Sequence, residues 1–421
     1  MVIKKLSAKL KSDFAIVMVA NLLSYTIAFS SSVIYVRILG KAEFGIYTFA
    51  FGIVSLFLLL NGFGAASGVL QYVSKSRYDP KLQLAYLRFA FISGGLFNLI
   101  ISGLIILYAL FIPLPLAGAK EALLLMSFFP IGRLYIDIFQ AYLRATEQNK
   151  LQARFLIINN IILLLICLVG VLLFKLNGLI YFTYIGYVVM YLVSIFILKL
   201  PIINQSTDSV SIDRREFINY SFFTTLSNAF SGLLFVLDTI IIGYVVKDAK
   251  LLAVYKVATI IPFAINFIPN IAVNYFYPQF VQYSHNSDKI RQLARFVSIR
   301  MFAFSASVSL FLIVSARPLI TLIFGHDYQD SILPFQIISF GYWIISTFRT
   351  VNGNILAAMG KAKLSFYITS IMLVVNVLIT YLMVLNYSIV GAASAIVIMY
   401  TLSSLFGYVA LKIILRDLKN D

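Results

Sequence analysis

Charge is scarce in this chain and unevenly signed. Only 12% of its 421 residues are charged, and 16 Asp and Glu stand against 33 Lys and Arg. The one cysteine, Cys167, excludes an internal disulfide, and the two histidines, His285 and His326, are too few for a histidine-built metal site. No GxxxxGKS or GxxxxGKT loop is present to cradle ATP phosphates, and no Ser/His or Cys/His arrangement has a workable placement. The expectation is therefore no enzyme, no cofactor and no metal. The rest of the chain is apolar: 61% hydrophobic residues and a mean hydropathy of +0.95 lie far outside the range of soluble domains.

Runs of about 20 apolar residues match the thickness of a bilayer core, whereas barrel strands are short and alternating. Twelve runs are read, at approximately 14–36, 45–72, 84–111, 122–143, 153–174, 178–199, 217–245, 252–281, 293–316, 331–358, 364–385 and 388–413. The expected fold is an all-α membrane protein with no room for a soluble catalytic domain. Lys4, Lys5, Lys9 and Lys11 ahead of the first run superficially resemble a signal peptide, but the run continues to Tyr35, which argues against cleavage. With both termini cytoplasmic, 23 of the 33 Lys and Arg fall inside and 8 outside, as the positive-inside rule requires. The net charge of +17 is thus read as topology and attraction to anionic lipid, with no nucleic acid as partner.

The polar segment 204–216 divides the chain nearly in half, giving lobes at 1–203 and 217–421 joined by a cytoplasmic linker. A repeat supports this division. Lys150-Leu151 precedes Gly178 as Lys363-Leu364 precedes Gly391, with a common offset of 213 residues. Six helices per lobe would relate the repeats by an axis along the membrane normal, with substrate sites near the midplane.

Arg37-Ile-Leu-Gly40, Glu43-Phe-Gly45-Ile-Tyr47 and Gly62-Phe-Gly64 resemble the first-loop signature of polysaccharide flippases in the multidrug/oligosaccharidyl-lipid/polysaccharide (MOP) export superfamily. Asp238-Thr-Ile-Ile-Ile-Gly243, Val254-Tyr255, Leu322-Ile-Phe-Gly325, Leu356-Ala-Ala-Met-Gly360-Lys361 and Gly391-Ala-Ala follow in the same order. The resemblance implies two six-helix lobes around a central V-shaped cavity. It also implies transport of undecaprenyl-diphosphate-linked oligosaccharide repeat units, of O-antigen or capsule type, across the bacterial inner membrane by alternating access. Membrane lipids and polysaccharide polymerase machinery are the further expected partners. A cation-coupled multidrug exporter of the same superfamily is the alternative, and a membrane-embedded transferase would need a longer extramembrane loop.

Four charges lie deep in the apolar runs: Arg133, Asp137, Asp238 and Arg349. Each costs roughly 2.5–3.5 kcal/mol at a bilayer centre on insertion scales, so each calls for a partner or a function. Arg133 and Asp137 share one helix face; they either neutralise each other or present a fork suited to diphosphate. Arg349 has no acid on its own helix, which favours a cavity-facing role. Asp238 ends a polar stripe with Asn228 on the seventh run and is a candidate gate or coupling-ion residue. Asn270 lies on an Asn266, Asn270, Asn274 stripe in a run where Pro262 and Pro269 should produce kinks. The candidate substrate-cavity residues are therefore Arg133, Asp137, Arg349, Asn228 and Asn270.

Overall fold

The computed structural model describes residues 2–196, 211–284, 286–360 and 362–420, with most side chains from residue 16 onward. Most of the expected linker, at 204–210, lies outside the described residues, as do His285, Lys361 and the side chains of the N-terminal lysines, Ser231, Phe235 and Asn274. Every described element is helical. The first group comprises α1 (Val2–Leu58), α2 (Ala65–Lys75), α3 (Pro80–Phe111), α4 (Ala119–Met126), α5 (Phe129–Ala145), α6 (Asn149–Phe196) and α7 (Arg214–Val246). The second comprises α8 (Ala249–Ile265), α9 (Phe267–Gln282), α10 (Ser287–Val314), α11 (Ala316–Ile323), α12 (Ile332–Ile344), α13 (Thr350–Ala358) and α14 (Ala362–Asn420).

Seven described stretches are long and apolar enough to cross a membrane, and the bent pair of α4 and α5 makes an eighth. Three of the seven are each two spans joined at a non-helical residue: Gly40, Lys175 and Ser388. With α7 counted as a span, the twelve expected crossings are present. The reversal at Lys175 is visible in contacts across it. Cys167 Sγ lies 3.4 Å from Thr183 Oγ1, and a Cβ on Gly178 would strike the carbonyl oxygen of Gly170. At the second such reversal, a Cβ on Gly391 would strike the carbonyl oxygen of Met383. Glycine is required at both places because two backbones touch. Gly178 and Gly391 are the residues that carry the 213-residue repeat.

Local chemistry explains where helices start. Asp79, followed by Pro80, accepts from the N–H groups of Lys81 and Leu82 at 3.0 Å each, and Asp248 accepts from Lys250 at 2.7 Å and Leu251 at 3.3 Å. Asn286 caps α10 through Lys289 N at 2.9 Å. These caps satisfy first-turn donors that no helical carbonyl reaches. The break at Lys175 frees donors too, and Glu43 Oε2 accepts from Leu176 N at 3.2 Å, which gives that acidic residue of the first loop a structural task.

Where a helix meets lipid it turns large apolar residues outward and packs small and polar ones inward. On α3, Ala90, Gly94 and Asn98 are buried, while Leu96 is 60% and Leu99 53% exposed.

The chain forms two compact units, Met1–Gly232 and Leu233–Asp421. The division passes through α7 rather than the polar segment before it. The first half of α7 belongs to the first unit because Phe217 fills its core, with ring centroids 5.6 Å from Tyr72 and 5.8 Å from Tyr86. The second unit has its own core, where Val273, Phe280 and Ile290 meet Val351, Ile355 and Leu411.

Candidate functional site

In the first unit the span formed by α1 and α2 breaks at Asn61–Gly64. Gly62, Phe63 and Gly64 all have positive φ, at 57°, 52° and 77°. Phe63 is the costly member, since left-handed backbone disfavours a bulky side chain. Its ring packs 4.8 Å from Phe97 and 5.0 Å from Phe222, which holds the conformation in place. Opposite this break, α4 and α5 bend by 43°. One turn into α5 stands the first deep pair.

Arg133 Nε lies 3.1 Å from Asp137 Oδ1 and 3.3 Å from Oδ2, so the expected intrahelical pair is formed. Asp137 Oδ2 also accepts from Asn61 Nδ2 at 2.9 Å. The Arg133 side chain remains 51% exposed, and among the described residues its two terminal nitrogens have no hydrogen-bond partner. Asp137 therefore holds the arginine by its inner nitrogen while the outer fork stays available to a ligand. Gly132 beside it has no room for a Cβ because the Tyr187 ring fills that space.

In the second unit Arg349 closes a single π turn, Ile345–Arg349, where Thr350 Oγ1 donates to the Ile345 carbonyl at 3.0 Å. Such turns add one residue to a helix and recur at functional sites. Arg349 lines a cavity of about 290 Å³ with Asn266, Asn270, Thr350, Asn354 and Ser403. Among the described residues no carboxylate lies within ion-pair distance of it. A smaller void of about 20 Å³, room for about one water molecule, also touches Arg349 and reaches Asp238, Asn376 and Tyr400.

Asp238 is buried and accepts from Tyr255 Oη at 3.2 Å, while its Oδ1 and the Oδ1 of Asn376 have no partner among the described residues. The break between α8 and α9 falls at Asn266, between Pro262 and Pro269, and Asn270 Nδ2 donates to the Asn266 carbonyl at 2.8 Å.

The structure thus brings Arg349 and Asn270 to one cavity, and Arg133 and Asp137 to another place. Asn228 joins neither. It is exposed on the half of α7 that belongs to the first unit, so its stripe with Asp238 is divided between units. Asn98, Asn354, Asn376 and Ser403 emerge only from the structure. Asn98 and Asn376 are single amides in apolar sequence, while Asn354 and Ser403 stand among other polar residues and bond the carbonyls of Thr350 and Tyr400 on their own helices.

A profile of the family described as polysaccharide biosynthesis protein matches residues 10–284. No curated protein matches the chain in sequence. Among solved structures, the inward-facing conformation of a multidrug resistance MATE family transporter of the MOP superfamily superposes with a TM-score of 0.79 at 14% identity, covering 95% of this chain and 96% of that one. The lipid II flippase MurJ in an inward closed conformation gives a TM-score of 0.76 at 17% identity, with 94% and 87% covered. The outward-facing conformation of a multidrug resistance MATE family transporter gives 0.66 at 14% identity, with 97% of each chain covered. The twelve-span fold is that of the MOP superfamily transporters, and the chain belongs to the polysaccharide biosynthesis protein family.

Proposed function

We propose that this multi-pass membrane protein is a flippase for undecaprenyl-diphosphate-linked oligosaccharide repeat units of O-antigen or capsule type. It would move them from the cytoplasmic to the periplasmic leaflet of a bacterial inner membrane by alternating access, with both termini cytoplasmic. One observation carries the reading. Arg349 lines a cavity with amides and hydroxyls and has no carboxylate in reach among the described residues. A partly enclosed cation of this kind is costly unless an anion meets it, and the surrounding amides suit sugar hydroxyls. The exposed fork of Arg133 is the second proposed anion contact, because a planar guanidinium matches phosphate oxygens in pairs. Asp238 is the proposed gate or coupling-ion residue, and a polysaccharide polymerase the proposed downstream partner.

The test is reconstitution into vesicles with a fluorescent polyprenyl-diphosphate oligosaccharide whose leaflet is read by a membrane-impermeant quencher. Transbilayer movement faster than in protein-free vesicles, lost in Arg349→Glu, supports the reading. Movement no faster than in protein-free vesicles, together with export of a cationic dye by the same preparation, would overturn it in favour of a multidrug exporter.

A further inference from the structure

The break at Asn61–Gly64 leaves backbone groups without helical partners, and the residue that meets them is Asn98 of α3. Asn98 is fully buried. Its Oδ1 accepts from Gly62 N at 2.7 Å, and its Nδ2 donates to the Pro130 carbonyl at 2.7 Å and to Asn61 Oδ1 at 2.7 Å. One side chain thereby joins the broken span, α3 and the start of α5.

The direction of these bonds is determined by the backbone. An N–H group only donates and a carbonyl only accepts. Gly62 and Pro130 therefore dictate which end of the Asn98 amide is oxygen and which is nitrogen. Its second amide hydrogen requires an oxygen at Asn61, which turns Asn61 Nδ2 toward Asp137. Asp137 then faces two donors, Asn61 and the Arg133 Nε. Tyr187 of α6 is a further ionisable group near the pair. If the Asn61 amide were reversed, two amide nitrogens would oppose each other at Asn98, an arrangement with no hydrogen bond and a buried unsatisfied donor.

We propose that Asn98 is a positioning residue for Arg133: by setting the polarity of Asn61 it holds Asp137 as a pure acceptor, which ties the arginine by Nε and leaves its outer fork for an anionic head group. This rests on the reading of Arg133 as an anion contact. Asn98 itself touches no ligand. It acts through two side chains across three segments of the fold.

Infrared difference spectra between the chain and its Asp137→Asn variant isolate the carboxyl bands of Asp137. Repeating the subtraction in an Asn98→Leu background should show the carboxylate band displaced. The KM for the lipid-linked substrate should rise about two- to tenfold, the scale of one neutral hydrogen bond, with turnover unchanged. Asn98→Asp has nearly the same size, keeps the acceptor for Gly62 and loses both donations, so it gives the same displacement if the leucine form does not fold. Asp137 bands that stay in place in both backgrounds overturn the proposal, whatever transport does. Displaced bands support the coupling to Asp137, and if Arg133→Gln then transports normally, it is the anion-contact reading of Arg133 that fails.

Discussion

Lys175 and Ser388 stand 213 positions apart and share one backbone conformation, φ 49°, ψ −126° at the first and φ 53°, ψ −134° at the second. Each turns its chain back on itself three residues before a glycine that touches the opposite backbone. The repeat thus extends beyond residue identity to dihedral angles. Glu147 and Gly360, at the same spacing, also share positive φ, at 57° and 74°.

Neither Lys175 nor Ser388 is glycine, although left-handed backbone favours one. Lys175→Gly and Ser388→Gly should each stabilise the protein by about 1 kcal/mol, the lower end of the cost of a strained residue. Gly178→Ala and Gly391→Ala should each destabilise by about 1–3 kcal/mol through overpacking. Thermal unfolding midpoints in detergent check both directions.

Glu43→Ala should destabilise by about 0.5–1.5 kcal/mol, because the half-buried N–H of Leu176 loses its acceptor. Glu43→Gln keeps an oxygen there and should unfold close to the unsubstituted protein. Equal losses in both variants would show that charge, rather than acceptance, is what Glu43 supplies.

The Arg133 and Asp137 pair is half exposed and should contribute no more than about 1 kcal/mol to stability. Arg133→Gln should therefore unfold near the unsubstituted midpoint while losing at least about tenfold in transport, the scale of a charge-assisted hydrogen bond. A large fall in midpoint with transport retained would assign the pair to holding helices together.

Arg349 sets function against stability. Arg349→Leu should raise the unfolding midpoint, by an amount bounded by the roughly 2.5–3.5 kcal/mol insertion cost of such a cation, and abolish transport. Arg349→Lys keeps the charge but not the fork, so it should retain only part of the rate. Vesicle assays beside unfolding curves separate these outcomes.

Tyr255→Phe removes the hydrogen bond that Asp238 receives and should cost about 1–3 kcal/mol. Combining it with Asp238→Leu should cost less than the sum of the two single changes, because the bond can be lost only once. Unfolding midpoints of the four proteins of that cycle measure the coupling.

Much of this was legible in the sequence because bilayers impose simple rules. Span length and the four-residue step from Arg133 to Asp137 both follow from periodicity and hydropathy. The first deep pair forms as its spacing predicts, and among the described residues Arg349 has no carboxylate within ion-pair distance. Asn98 was not legible, since its partners lie 32 to 37 residues away on other segments and no charge stands near it on its own helix. The dual allegiance of α7 was hidden for a related reason. A continuous helix reads as one element, and only packing around Phe217 reveals that its first half serves the first unit. Prolines 262 and 269 announced a kink but not its place, which Asn266 takes.

The π turn at Ile345–Arg349 is an insertion of a single residue into an otherwise α-helical span. Each residue of an α-helix advances by about 100° around the axis, so everything after the turn is rotated by about that angle relative to an uninterrupted helix. Gly353 and Asn354 owe their place in the cavity wall to this phase shift. Deleting Ser346 would return the span to plain α-helix while leaving every charge in the protein unchanged. Arg349, Gly353 and Asn354 all follow the deletion and would keep their places, whereas the undeleted sequence wound as plain α-helix would turn them by about 100°. The composition of this cavity is thus written as much in a count of residues as in their kinds.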